Sequence, residues 1–168
     1  VPELRQEYSL DFVIANAENA AGGSGIIPKV ANELFESGVD VLTSGDHIWK
    51  KREIFEIIEE EQRILRPLNF PPGVPGRGFS LFKMPGGDAS IGVVNVNGRV
   101  FMEALECPFK TTWQAVETLS RDTKIIVVDI HAEATSEKVA LGWYLDGKVS
   151  AVLGTHTHIQ TADERILP

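Results

Sequence analysis

The sequence predicts an α/β fold with a mixed sheet. Three observations carry that reading. Short, nearly continuous apolar runs alternate with segments of helical period, as in sheets buried on both faces. One pair of apolar runs flanks the turn Gly86-Gly87-Asp88, a hairpin signal. Polar, metal-type residues fall just after four of the strands, where open α/β sheets bind ligands.

The elements follow in order. Residues 1–8 read as the end of a helix. Residues 10–15 (Leu-Asp-Phe-Val-Ile-Ala) form a first buried strand, followed by a Gly-rich loop over 20–25. Pro28 opens a helix with Val30, Leu34 and Phe35 on one face, and Gly38 closes it. Residues 39–43 form a second strand that ends in Ser44-Gly45-Asp46-His47. Residues 51–61 predict an amphipathic helix with Ile54, Ile57 and Ile58 inward. A Pro/Gly-rich loop covers 66–78, and its glycine spacing is not that of a dinucleotide-binding turn. Residues 79–84 and 89–95 make the hairpin, and 113–120 a helix. Residues 124–129 are the clearest buried strand and run into Ile130-His131. A helix start is expected within 133–138, and 151–153 is a last strand leading to Gly154-Thr155-His156-Thr157-His158. No linker or repeat divides the chain, so residues 1–168 read as a single domain.

Composition narrows the function classes. The 168 residues are 43% hydrophobic and 24% charged, with a mean hydropathy of −0.04, as in ordinary globular proteins. No apolar run approaches the ~18 residues of a membrane span, and the polar opening Val1-Pro2-Glu3-Leu4-Arg5 does not read as a signal peptide. A net charge of −8 argues against general nucleic-acid binding. It leaves room for a small phosphate ester, because bound metal ions can supply local positive charge. Cys107 is the only cysteine, so no internal disulfide forms, and a cytoplasmic setting is expected. Nothing around it marks a nucleophile. With no initiator Met and with Arg165-Ile166-Leu167-Pro168 closing the chain, the sequence is expected to be a fragment, incomplete at both ends.

The chemistry gathers at the strand ends. All four histidines lie there: His47, His131, His156 and His158. In an extended segment His156 and His158 would share a face about 7 Å apart and could bind one cation or two neighbours; the alternative is a pair of exposed loop histidines. His131 is either a ligand or a packed core residue. Asp46 can bind a hard cation or cap the following helix, while His47 faces away and can donate a proton. Glu18, before Asn19 and the glycines, can bridge two metals or form a polar turn. Mixed oxygen and imidazole donors suit iron, manganese or zinc. Two such ions clamp the oxygens of a phosphoryl displacement and lower the pKa of a bridging water to give hydroxide.

At this point the motifs form a pattern. Glu18-Asn19-Ala20-Ala21-Gly22-Gly23, Gly45-Asp46-His47-x-Trp49, Arg66-Pro67-x-Asn69-Phe70-Pro71, His131-Ala132-Glu133-Ala134-Thr135-Ser136-Glu137-Lys138 and Gly154-Thr155-His156-Thr157-His158-x-Gln160-Thr161-Ala162-Asp163 resemble the YmdB-like family of calcineurin-like metallophosphoesterases. The resemblance implies a four-layer αββα sandwich, two divalent ions (iron or manganese, with zinc the alternative) and a bacterial, cytoplasmic phosphodiesterase. It implies small phosphodiester or cyclic-nucleotide substrates, 2′,3′-cyclic esters among them, with 3′,5′-cyclic esters the alternative; the oligomeric state stays open, with homo-oligomers common for such enzymes. Glu18 would bridge the metals. Asp46, His131 and His156 would hold one; His158, with Asn19 beside it, would help hold the other; His47 would be the proton donor.

The surface around Trp49, Arg66 and Asn69 is a candidate pocket wall, with packing an equal account of Trp49. The family's N-terminal Gly-Asp segment and its C-terminal region are absent from these 168 residues. Two rival classes fit less well. A regulatory binding protein on the same fold has little use for all four histidines. An amidohydrolase would carry His-x-His near its N-terminus, and this length does not fit its barrel. Asp46 stands where the family usually has Asn. The added charge predicts tighter metal binding and a weaker pull on phosphate, so Asp46→Asn should change both metal affinity and turnover.

Overall fold

The computed structural model describes all residues 1–168. Two sheets stack face to face. The smaller pairs β1 (Ile14–Asn16) with β2 (Val41–Thr43) in parallel. The larger has the order β3 (Phe79–Lys83), β4 (Ser90–Asn97), β5 (Ile125–Ala132), β6 (Ala151–His156). Its β3–β4 pair is the antiparallel hairpin, and β4, β5 and β6 run parallel.

Side-chain alternation turns these sheets into four layers. On β4 and β5, Val94, Val96, Ile126, Val128, Ile130 and Ala132 face outward onto α3 (Pro108–Leu119) and α4 (Thr135–Tyr144). Ile91 and Val93 face inward onto Val41, Leu65 and Ile14 of the smaller sheet's layer. The smaller sheet's other face packs Leu42 against Ala31 of α2 (Pro28–Glu36) and against Ile48, Ile54 and Ile58. The result is helix, sheet, sheet, helix, with an apolar layer at each of the three junctions. α1 (Pro2–Tyr8) lies at the edge, where Arg5 pairs with Asp40.

Several elements differ from expectation. The first strand covers only Ile14–Asn16, because the Asp40 carboxylate accepts the Val13 N–H at 2.6 Å and takes the place of a strand partner. The helix expected over 51–61 is a short 3₁₀ helix, Arg52–Glu56, followed by turns. Glu53, Glu56, Glu59 and Glu60 stand three and four apart there, and their repulsion opposes a regular helix. Ile54 and Ile58 still reach the core. The helix expected from 113 begins at Pro108, which suits the first helical turn, where no N–H is needed.

Two further differences move the histidines. β5 extends to Ala132, so His131 is a strand residue and not a loop residue. β6 extends to His156, whose φ is 91°, and His158 has a φ of 52°. With positive φ at both histidines, the His-x-His segment bends away after β6 and is not the extended stretch expected. No helix is long and apolar enough to cross a membrane.

Candidate metal centre

The layer between the sheets changes character along the strands. On β5 the inward residues are Val127, Asp129 and His131 in turn, so an apolar contact gives way to a carboxylate and then an imidazole. The same change occurs from Ile14 to Asn16, from Val41 to Thr43 and from Val93 to Asn95. Strand period places all of these on one face, and the parallel register aligns their ends.

Asp129 is the centre of the polar half. It is buried and accepts hydrogen bonds from Thr43 Oγ1 (2.5 Å), Thr155 Oγ1 (2.7 Å) and Asn16 Nδ2 (3.1 Å). Burial pushes its carboxyl up, and the three donors pull the other way without cancelling it. Beside it Asn95 exchanges two 3.1 Å bonds with the main chain of Ser44. Together these bonds lock the end of β2 to β4 and β5.

Above this floor sits a donor cluster. Ligand-type atoms of Glu18, Asp46, His131 and His156 all lie within 4.8 Å of one another. His131 Nε2 is 2.9 Å from Glu18 Oε1, 3.1 Å from Asp46 Oδ1 and 3.0 Å from His156 Nδ1. Glu18 is held by the loop after β1 and accepts the His47 N–H at 3.0 Å. Gly45 is required by space, since a Cβ there would strike His131 and Glu18. A second group lies alongside. Asn19 offers its Oδ1 to His47 Nδ1 at 3.3 Å and its Nδ2 to His158 Nε2 at 3.0 Å, and the same Nδ2 is 3.4 Å from Glu18 Oε2.

The donor set suits a cation. Two carboxylates and two imidazoles converge, and no Lys or Arg forms an ion pair with either carboxylate. Thr155 donates to Asp129, so its oxygen accepts from His131 Nδ1 at 3.0 Å. That fixes the proton on Nδ1 and turns the Nε2 lone pair toward the two carboxylates, an arrangement that repels unless a proton or a metal stands between them. Mixed oxygen and nitrogen donors of this kind hold borderline divalent ions.

The remaining sequence candidates fall elsewhere. Arg66 is buried and spends its guanidinium on the carbonyls of Pro67 (2.8 Å), Pro75 (2.9 Å) and Val74 (3.2 Å). Asn69 bonds the main chain of Asn97 and Glu106. Trp49 stacks on Phe55 at 5.1 Å and meets Phe70 edge-on at 5.8 Å. All three build the scaffold. Glu137 is likewise structural, accepting N–H groups of Arg99 and Val100.

Sequence reasoning passed over Asp129 and Thr155, and also Glu133, whose carboxylate is 3.1 Å from His156 Nε2. A polar residue at the inward phase of an otherwise apolar strand was the available signal for Asp129.

One pH dependence follows. Burial pushes the Glu18 carboxyl up, but the hydrogen bond and charge of His131, with the His47 N–H, outweigh it and hold the group at about 2 against an ordinary 4.5. A depressed folded value stabilises above the unfolded value and is lost as pH falls through the folded one. The metal-free protein should therefore lose stability between about pH 4.5 and 2. Glu18→Gln should flatten part of that fall in thermal melts run across the same window.

Comparison with known proteins agrees with this architecture. The family model described as YmdB-like protein matches residues 1–168. The 2′,3′-cyclic-nucleotide 2′-phosphodiesterase of Bacillus subtilis (strain 168) is 48% identical over all of this chain and 63% of its own length. A hypothetical protein from Thermus thermophilus superposes with a TM-score of 0.91 at 45% identity, covering 99% of this chain and 64% of that one. A phosphatase from Mycoplasma pneumoniae gives a TM-score of 0.89 at 35% identity, over 99% of this chain and 60% of that one. The chain thus spans less than two thirds of the length of each of these proteins. With its two stacked sheets in the calcineurin-like phosphoesterase arrangement and a match along its whole length, the chain belongs to the YmdB-like protein family.

Proposed function

We propose that the protein is a metal-dependent phosphodiesterase that hydrolyses cyclic nucleotides, with 2′,3′-cyclic esters first and 3′,5′-cyclic esters second. The observation that carries this reading is the convergence of Glu18, Asp46, His131 and His156 on one point at the carboxyl ends of the strands. The 48% identity to a 2′,3′-cyclic-nucleotide 2′-phosphodiesterase supports the substrate class.

In this reading Asp46, His131 and His156, with Glu18, would hold one divalent ion, and Asn19 and His158 would help hold a second. Iron or manganese fits best, with zinc as the alternative. When bound, such ions supply positive charge for the phosphoryl group and an activated water at neutral pH. The protein's own residues do the rest. Glu133 holds His156, and Thr155 with Asp129 holds His131, so both imidazoles keep a fixed orientation. His47 does not face away from Asp46 as expected: its Nε2 lies 3.5 Å from Asp46 Oδ2 while its Nδ1 is anchored on Asn19, so in this reading the about one-third exposed ring would carry the proton for the departing oxygen on Nε2, beside that carboxylate. The second group has fewer charged donors than the first, so its ion should leave first on chelation.

Two experiments test the reading. The Mn²⁺- or Fe²⁺-loaded protein should contain about two ions and hydrolyse bis-p-nitrophenyl phosphate and 2′,3′-cyclic AMP. His47→Ala should lower kcat by about 10²–10⁴-fold, and His158→Ala should remove one equivalent of metal together with turnover. A folded, metal-loaded protein that turns over neither ester would move the assignment to a regulatory binding protein. Separately, Thr155→Val should weaken Mn²⁺ binding by about 10–100-fold in titration calorimetry, while Thr155→Ser keeps it.

A further inference from the structure

The turn that follows β4 carries an exposed aromatic side chain that the fold does not use. Gly98 leaves the strand with its N–H on His131 O at 2.8 Å, so the turn emerges at the same end of the sheet as the donor cluster. The Glu137 carboxylate, itself buried, accepts the N–H groups of Arg99 at 3.0 Å and Val100 at 3.1 Å. Gly98 has no room for a Cβ, because Glu137 and Ala132 occupy that space. Met102 closes the turn with its N–H on Arg99 O (3.2 Å), and its sulfur accepts the Glu133 N–H at 3.3 Å. Glu133 is the residue whose carboxylate touches His156.

Phe101 sits at the tip of this turn. It is 88% exposed and its φ is 64°. Leaving a phenyl ring in water is unfavourable, and so is the left-handed backbone of a bulky residue. Both penalties fall on one residue, in a turn pinned to the ligand-type residue His131 of β5, to Glu133 just after it and to Glu137 of α4. A lone exposed ring on a loose loop would need no explanation. An exposed ring on a left-handed backbone, in a turn whose preceding N–H groups are held by a buried carboxylate, does.

We propose that Phe101 is a stacking platform for the base of the nucleotide substrate. This rests on the cyclic-nucleotide reading above. A flat ring takes any base by its face, so it supplies affinity for nucleotides without choosing among bases. The phosphate is then left to the donor cluster, and selection for a nucleotide over a simple diester comes from the turn.

The test compares the metal-loaded wild type with Phe101→Ala and Phe101→Trp on 2′,3′-cyclic AMP and on ribose 2′,3′-cyclic phosphate, which has no base. Phe101→Ala should raise KM for the nucleotide about 10-fold with kcat nearly unchanged, within the range for loss of one base stack. Its kcat/KM on the base-free ester should stay as in the wild type, and Phe101→Trp should restore the nucleotide KM. Adenosine 3′-phosphate should also quench the Phe101→Trp fluorescence, measured as the difference from the wild type with its three native tryptophans.

Equal effects on both esters, or none on either, would overturn the platform. So would a change in oligomeric mass for Phe101→Ala with an unaltered KM, since the ring would then be a subunit contact. The quenching arm separates the two readings. If no ester is turned over but adenosine 3′-phosphate quenches and ribose phosphate does not, the enzyme reading fails and the platform stands. If both esters are hydrolysed and the Phe101 variants are silent in KM and fluorescence, the platform fails alone.

Discussion

The buried carboxylate of Asp129 is the constraint around which this structure is arranged. A carboxylate without water is unfavourable unless its oxygens are hydrogen-bonded, so the fold must bring donors to it. It does so from three strands: Thr43 of β2, Thr155 of β6 and Asn16 of β1. Two of these belong to the other sheet. The bonds therefore fix the two sheets against each other in register as well as in distance, which an apolar layer alone does less strictly. The paired bonds of Asn95 with Ser44 add a second fixed point beside the first.

That rigidity is what the donor cluster requires. Each of its members comes from a different strand end, and none is close in sequence to another. A cluster assembled from separate strands keeps its spacing only if the strands cannot slide. His131 shows the coupling most directly. Its ring is oriented by Thr155, Thr155 is oriented by Asp129, and Asp129 is oriented by the opposite sheet. The glycine at 45 is the complementary requirement, an absence of side chain where two ligand-type groups must approach.

The outer helix α4 serves the rim in the same way. Glu137 holds the turn at 99–100, and Lys138 donates to Thr157 Oγ1 at 3.1 Å, steadying the segment between the two terminal histidines. Burial pushes the Lys138 ammonium down from its ordinary value. One short helix thereby anchors loops on two sides of the site. Of the four non-glycine residues with positive φ, His156, His158 and Phe101 lie at this end of the molecule, and the fourth, Ser9, closes α1. Strain of this sort persists only where the surroundings over-determine it.

Much of this was legible in the sequence. Period and turn chemistry gave the α/β class, the hairpin and the place of each strand in the chain order, with the first read too early, because buried parallel strands leave continuous apolar runs. The strand-end rule then pointed to Glu18, Asn19, Asp46, His47, His131, His156 and His158, since residues at those ends converge whatever their separation along the chain. The segment at 51–61 was misread because its isoleucine spacing is helical while its glutamates repel. Residues such as Arg66 and Asn69 looked like site residues because their type suits binding; only their partners show that they hold loops. Asp129 was written in the sequence as one polar letter in an apolar strand. What it does depends on which side chains face it from the other sheet, and that is a property of packing between elements distant in the chain. The residue types at the strand ends were therefore set by sequence, whereas their distances, their tautomers and the anchoring of the turn after β4 were decided by how the elements pack.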